Sequence, residues 1–317
     1  MIFEKYIETF KENLFTNNFS ERTIEKYYAS TKSFIKFLES YYVRINSLQK
    51  ITKDIISDYQ SYLSNYKTKK GINLTNRTQG NRIIGIKKFF NFLLQNDLIL
   101  NDPTKDISLP RSEETIIRNI LTQEEVKLIL ENIKLISPIS IRNKSIIELV
   151  YACGIRTSEC CNLKVHDINL KEQIVTVIKG KGNKSRIMPL TQYSVHYLDL
   201  YLEKARKFLL KAKLNDPGYI FLTNRGNPFN RSSINKCVIR SILKHSKIKN
   251  KHISFYSFRH SLATHLLSEK VDITYIAQLL GHKSLNTTQR YTHVEISDLK
   301  KVHSLTHPRE KDSLKPK

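Results

Sequence analysis

The chain has 317 residues and 40% hydrophobic content, enough for two globular domains that each bury a core. Lys and Arg number 53 against 29 Asp and Glu, so the formal net charge is +24; such an excess says nothing about fold but points to a polyanionic partner. There is no stretch of 18 apolar residues to predict a membrane span, and the start, Met1-Ile2-Phe3-Glu4-Lys5, turns charged too soon for a signal peptide, so a cytoplasmic location is expected.

From residue 1 to about 105 the pattern predicts several amphipathic helices. Ser20 is placed to cap one of them, along which Ile24, Tyr28, Ile35 and Leu38 recur near a 3.6-residue period. Ile56, Tyr59 and Leu63 form a second apolar stripe, and Ile83, Ile86, Phe90 and Leu94 a third. Beside these stripes lie Lys67, Lys69, Lys70, Arg77, Arg82, Lys87 and Lys88. A small helical domain with a basic face suits the sugar-phosphate backbone of DNA; each of these side chains taken singly also fits a solvated surface.

The periodicity then stops. Asn101-Asp102-Pro103 and Leu109-Pro110-Arg111 punctuate a polar stretch, which predicts a linker over 106–116. Thr122 and Glu125 match a capping box, in which a hydroxyl and a carboxylate satisfy each other's backbone donors, so a second domain is expected over 117–317. Most of it reads as helix. Ile174-Val175-Thr176-Val177-Ile178 is short and dominated by β-branched residues, hence a strand. Gly180-Lys181-Gly182-Asn183-Lys184 is a turn, and Arg186-Ile187-Met188-Pro189-Leu190 the returning strand, which puts Lys181 at a hairpin tip. The four cysteines, Cys153, Cys160, Cys161 and Cys237, include an adjacent pair and no CxxC, a poor frame for zinc; reduced thiols are expected. Near the end, Ser297 can cap a helix over about 298–306 with Leu299, Val302 and Leu305 on one stripe. The tail beyond Pro308 is polar and charged.

Five residues stand in distinctive local frames: Gly154-Ile155-Arg156-Thr157-Ser158-Glu159, Gly180-Lys181-Gly182, Phe258-Arg259-His260, Leu280-Gly281-His282 and Arg290-Tyr291-Thr292-His293. Two arginines, a lysine and a histidine can together neutralise one phosphodiester, and a tyrosine can attack it. Tyr291 is one of 16 tyrosines, so only its place shortly after His282 singles it out.

These frames, in this order, resemble the tyrosine recombinase (lambda-integrase) family, and most closely its two-domain XerC/XerD-like members. The resemblance runs from the Ser20–Leu38 segment, through Tyr151-Ala152-Cys153-Gly154-Ile155-Arg156 and Arg259-His260-Ser261-Leu262-Ala263-Thr264-His265-Leu266-Leu267, to His307-Pro308-Arg309. It implies a mainly α fold: a helical, SAM-like core-binding domain followed by an α-rich catalytic domain with a small antiparallel β-sheet. It also implies a site-specific DNA recombinase working through a 3′-phosphotyrosyl intermediate and a Holliday junction, with no metal or other cofactor. Its partner would be double-stranded DNA carrying a specific site, bound by a homotetramer or by a heterotetramer with a second recombinase.

On this resemblance Tyr291 is the nucleophile, Arg156 and Arg259 clamp the non-bridging oxygens, and Lys181 protonates the leaving 5′-oxygen. His282 hydrogen-bonds a non-bridging oxygen, and Glu159 holds Arg156 in its rotamer. Lys184 joins the lysines and arginines expected on the DNA backbone. The family usually carries histidine three residues before the second arginine; here Tyr256 stands in that place. Tyrosine can donate a hydrogen bond to phosphate but is a poor general base near neutral pH. In relatives the terminal helix docks on a neighbouring protomer, so its removal is expected to spare folding and weaken assembly; packing on its own domain is the alternative. Chromosome or plasmid dimer resolution, mobile-element integration or excision, and DNA inversion all remain open. Two other classes compete. The run from Ile273 to Thr288 could be the helix-turn-helix of a non-catalytic DNA-binding protein, or the chain could be a type IB topoisomerase-like enzyme with the same chemistry and no demand for a particular site.

Overall fold

The structure is a computed structural model. It describes residues 3–68, 71–111, 120–178, 185–210, 215–243, 248, 251, 253–281 and 296–312. The chain divides into two compact units, Met1–Ile116 and Ile117–Lys317, and each has its own hydrophobic cluster.

The first unit is helical: α1 (Glu4–Thr16), α2 (Glu21–Tyr41), α3 (Lys53–Asn65) and α4 (Asn76–Gln95). Two of these starts are written locally. The Ser20 hydroxyl accepts from the Thr23 N–H, and the Thr75 hydroxyl accepts from the Thr78 N–H, each satisfying a donor that the first helical turn leaves open. The core is largely aromatic. Phe34 meets Tyr59 edge-on at 5.1 Å between ring centroids, and Phe10 meets Phe89 at 5.4 Å. Helices α2 and α4 approach closely because Gly85 faces Ser30: a Cβ there would fall 2.5 Å from the Ser30 Cβ. Ile56, Tyr59, Leu63, Ile83, Ile86 and Phe90 are all fully buried, as their stripes predict. The third stripe differs at its end, where Leu94 is exposed and Leu93 fills the core instead. The stretch after α4 packs onto this unit as far as it is described: Ile107 is buried, and the carbonyls of Ser108 and Arg111 accept from the Gln60 and Asn76 side chains.

In the second unit, α5 (Gln123–Glu131) begins with the Thr122–Glu125 capping box. Helix α6 (Pro138–Cys153) is the central helix, with every residue from Arg142 to Cys153 buried. It ends at Gly154, whose left-handed backbone (φ +57°) closes the helix. Helix α7 (Thr157–Asn162) follows, then a three-stranded antiparallel sheet in the order β1 (Ile168–Asn169), β2 (Ile174–Val177), β3 (Arg186–Pro189). Val177 pairs with Arg186 and Ile174 with Pro189, which is the expected hairpin; β1 adds a short edge. The tip, 179–184, lies outside the described residues, and with it Lys181 and Lys184.

Helix α8 (Gln192–Leu200) continues through a π-helical stretch, Tyr201–Arg206, into α9 (Lys207–Leu210). Helices α10 (Arg231–Ile234) and α11 (Arg240–Leu243) flank a second π-helical stretch, Asn235–Ile239. Helix α12 (Phe255–Ser268), α13 (Ile273–Leu280) and α14 (Ile296–Thr306) complete the unit.

Helix α14 lies on its own unit. Leu299 and His303 are buried, and Val302 packs against the core while Leu305 is exposed. Beyond it, Arg309 pairs with Glu148, both buried, at 2.7 Å. This segment thus contributes to the core of its own unit: without Arg309, the buried Glu148 carboxylate would keep, among the described residues, the Lys144 ammonium at 3.5 Å. Cys153, Cys160 and Cys161 are buried free thiols, and Cys237 is exposed. No helix among the described residues is long and apolar enough to cross a membrane.

Candidate active site

Two helix C-termini meet at the site. Helix α6 ends in Gly154 and α13 ends in Gly281, both in the left-handed region at φ +57° and +63°. They are in tight contact: a Cβ on Gly154 would lie 2.4 Å from the Leu280 Cδ2. Such ends present carbonyls with no intrahelical partner and the negative pole of the helix dipole, a setting that draws arginines.

Arg259, on α12, takes two of them. It is 7% exposed, and its Nη1 donates to the Gly154 carbonyl and its Nη2 to the Leu280 carbonyl, the latter at 2.7 Å. Burial, reinforced by the positive charge of Arg156, pushes its guanidinium down to about 10, so it stays charged at neutral pH. Arg156 sits at the N-cap of α7, and its Nη2 donates to the Gly281 carbonyl at 3.0 Å. Its side chain is 39% exposed, which leaves a face open to a ligand. The chain thus brings together two guanidiniums anchored on one pair of helix ends, although 103 residues (259 − 156) separate them in sequence.

Glu159 holds the other side of Arg156. Its Oε1 accepts from Arg156 Nη1 at 2.9 Å, and its Oε2 accepts from the Arg156 backbone N–H at 2.9 Å. The same carboxylate also takes both Nη atoms of Arg186, at 2.9 and 2.7 Å. Burial alone would raise the carboxyl; the Arg186 hydrogen bonds and charge, together with those of Arg156, outweigh it and hold Glu159 at about 2. Sequence reasoning placed Arg186 on the returning strand and assigned it nothing more. The only signal it offered was its position opening β3, on the sheet that carries the Lys181 turn.

Tyr256 lies in the first turn of α12, 65% exposed, with its ring stacked on His260 at 5.6 Å. It shares the helix of Arg259 but none of the carbonyl anchors. His265 is a structural group: its Nε2 meets the Leu121 carbonyl at 2.9 Å, so that nitrogen carries the proton, and Tyr151 donates its hydroxyl to Nδ1 at 2.8 Å. His282 and Tyr291 lie outside the described residues, as do Lys69 and Lys70. Of the basic residues expected on the first unit, Lys67, Arg77 and Lys88 are exposed. Arg82 is partly buried over the Tyr66 ring at 5.4 Å, with Nη1 3.4 Å from the Ser33 hydroxyl, and Lys87 reaches back to the Lys105 carbonyl at 3.5 Å.

An anchored pair of arginines with one partly exposed face, built on a helical scaffold, has the charge and donor geometry that suit an anionic ligand. Residues 119–297 match the phage integrase family, and residues 7–97 match the phage integrase N-terminal SAM-like domain. The chain is 33% identical over 293 residues to tyrosine recombinase XerC of Bacillus pumilus, covering 92% of each chain. It is 33% identical over 290 residues to tyrosine recombinase XerD of Halalkalibacterium halodurans, covering 92% of this chain and 93% of that one. Its fold resembles that of a lambda integrase fragment (75–356) crystallised as a dimer bound to a COC′ core site, with a TM-score of 0.63, 16% identity, and coverage of 92% and 98%. The chain belongs to the phage integrase family. Its activity is that of a tyrosine-type, site-specific DNA recombinase.

Proposed function

We propose that the chain cuts and rejoins duplex DNA at one defined site, with Tyr291 as nucleophile and the Arg156–Arg259 pair as the clamp on the scissile phosphate. The phenolic oxygen of Tyr291 attacks phosphorus as its proton passes to water, the bond to the 5′-oxygen breaks, and a 3′-phosphotyrosyl link forms. Lys181 supplies the proton that the leaving 5′-oxygen takes up. In the reverse step a 5′-hydroxyl from the partner duplex attacks and returns its proton to Lys181, and the departing tyrosine takes a proton from water. Charge that builds on the two non-bridging oxygens is met by Arg156 and Arg259, with His282 donating a further hydrogen bond. Glu159 keeps Arg156 in position, and the Tyr256 hydroxyl donates to phosphate from the place where the family usually has histidine.

The observation that carries this reading is the convergence of Arg156 and Arg259 on the carbonyls of Gly154, Leu280 and Gly281. A DNA-binding protein without chemistry has no need to fix two guanidiniums so rigidly. Four protomers on two duplexes would exchange strands through a Holliday junction, either as one recombinase or as a XerC/XerD-like pair, in the cytoplasm. The sheet, the helical scaffold and the net charge of +24 fit both dimer resolution and mobile-element integration or excision.

Mixing the protein with sheared DNA from its own source, stopping with SDS and sequencing the covalently attached DNA tests this. Recovery at one locus that vanishes in Tyr291→Phe is the expected result. Recovery spread over the genome favours a topoisomerase-like enzyme, and none at all, with DNA binding intact, overturns the assignment.

A further inference from the structure

We propose that Arg186 is a positioning residue for strand cleavage, acting through Glu159 to hold Arg156 and keep its positive charge available to the phosphate. The inference rests on the reading of Arg156 as a phosphate clamp. Arg186 opens β3, and its side chain is only 9% exposed. Its two Nη atoms meet the two oxygens of Glu159 at 2.9 and 2.7 Å, the parallel fork in which arginine binds a carboxylate best. Each of those oxygens accepts a second hydrogen bond from Arg156, one from its side chain and one from its backbone. The carboxylate is therefore shared between two arginines and cannot rotate without breaking both pairs.

The charge count shows why the second arginine matters. Glu159 and Arg156 alone sum to zero, which would leave Arg259 as the uncompensated charge of the two-arginine clamp. Arg186 brings the group to a net charge of +1. It does so from the buried side, so the exposed face of Arg156 stays open. Arg186 also touches the other support of Arg156. A Cβ on Gly281 would stand 3.1 to 3.2 Å from the Arg186 Cδ, Cζ and Nε, so the arginine lies flat against the backbone whose carbonyl Arg156 binds. The Arg186 Nε is buried and has no hydrogen-bond partner among the described residues. The Nη fork and the packing against Gly281 are what seat the side chain. Lysine would keep the charge and lose both.

The test measures the fraction of protein trapped covalently by SDS on sheared DNA from the source, alongside gel shifts and thermal melts. Arg186→Lys should lose about tenfold in trapping, and Arg186→Met about a hundredfold. Non-covalent DNA binding should stay within about twofold, because the exposed basic residues are untouched. The deciding variant is Arg186→Met combined with Glu159→Gln. Removing the uncompensated carboxylate returns the group to +1, so the double variant should trap several-fold more DNA than Arg186→Met alone. A purely structural tie between β3 and α7 predicts further loss instead. Wild-type trapping by Arg186→Met, or a double variant at or below it, overturns the proposal. If Arg186→Met does not fold, Arg186→Lys decides: trapping equal to wild type overturns the proposal, and a loss with folding and binding retained supports it. If the wild-type protein itself traps nothing, the recombinase assignment fails, a result distinct from either outcome.

Discussion

Arg259 and Tyr256 share the first turns of α12 yet differ in what surrounds them. Arg259 is 7% exposed and bound to two carbonyls, whereas Tyr256 is 65% exposed and stacked on an imidazole. Removing the arginine takes away a preorganised donor to the transition state and leaves two helix-end carbonyls unpaired. Arg259→Ala should therefore lower covalent trapping by on the order of a hundredfold to a thousandfold. Tyr256→Phe removes one solvated hydroxyl and should cost only a few-fold. Equal losses in the two variants, with DNA binding intact, would mean that the hydroxyl takes a direct part in the proton chemistry. The tyrosine substitution was plain in the sequence; its exposure was not, because the first turn of a helix can face either way until its neighbours are placed.

At the scale of elements, α14 and the turn after it are held by buried histidines. His303 Nε2 donates to the Ala152 carbonyl at 2.9 Å, and His307 Nε2 donates to the Tyr151 carbonyl at 3.2 Å. His307 Nδ1 accepts from the Arg309 N–H at 3.0 Å, so that ring has no room for a second proton. Burial holds the His303 imidazole down to about 4, and burial with the neighbouring His303 pushes His307 well below its ordinary value. Both folded-state values lie below the unfolded value near 6.5, so the unfolded chain binds more protons between them. The stability they contribute is complete above about pH 6.5 and is lost as pH falls toward 4, on the order of 3 kcal/mol for His303. Thermal melts at pH 7.5 and pH 5 should show a marked drop that His303→Gln, which keeps a donor for Ala152, reduces. A drop of the same size in the variant would sink this account. Helix α14 was legible as an amphipathic segment through Leu299 and Val302. Its seat was not, since the carbonyls it serves belong to α6, more than a hundred residues earlier.

For the whole molecule the net charge of +24 dominates encounter with DNA. Binding to an arbitrary duplex should weaken by about 10³ to 10⁵ between 50 and 200 mM salt if six to ten phosphates are contacted. Lys88→Ala should reduce the slope of log affinity against log salt by about one. Arg82→Ala should change it less, because that guanidinium is engaged with Tyr66 and Ser33. A slope unchanged by Lys88→Ala would remove α4 from the DNA-contacting face.

What the sequence by itself determined is whatever local chemistry dictates. The Ser20 cap, the Thr122–Glu125 box and the β2–β3 hairpin each depend on residues a few positions apart, and all appear where their patterns put them. The Arg156 and Arg259 frames were legible as separate motifs, and Glu159 could be paired with Arg156 because three residues on a helix start share a face. Only the tertiary structure decided that the two arginines share one pair of glycine-capped helix ends, and that Glu159 serves two arginines. Likewise, His303, His307 and Arg309 complete the core around α6. Those contacts join residues 27, 125 and 161 positions apart. No periodicity or spacing rule spans such distances; the packing of α6, α13 and β3 against one another brings them within reach.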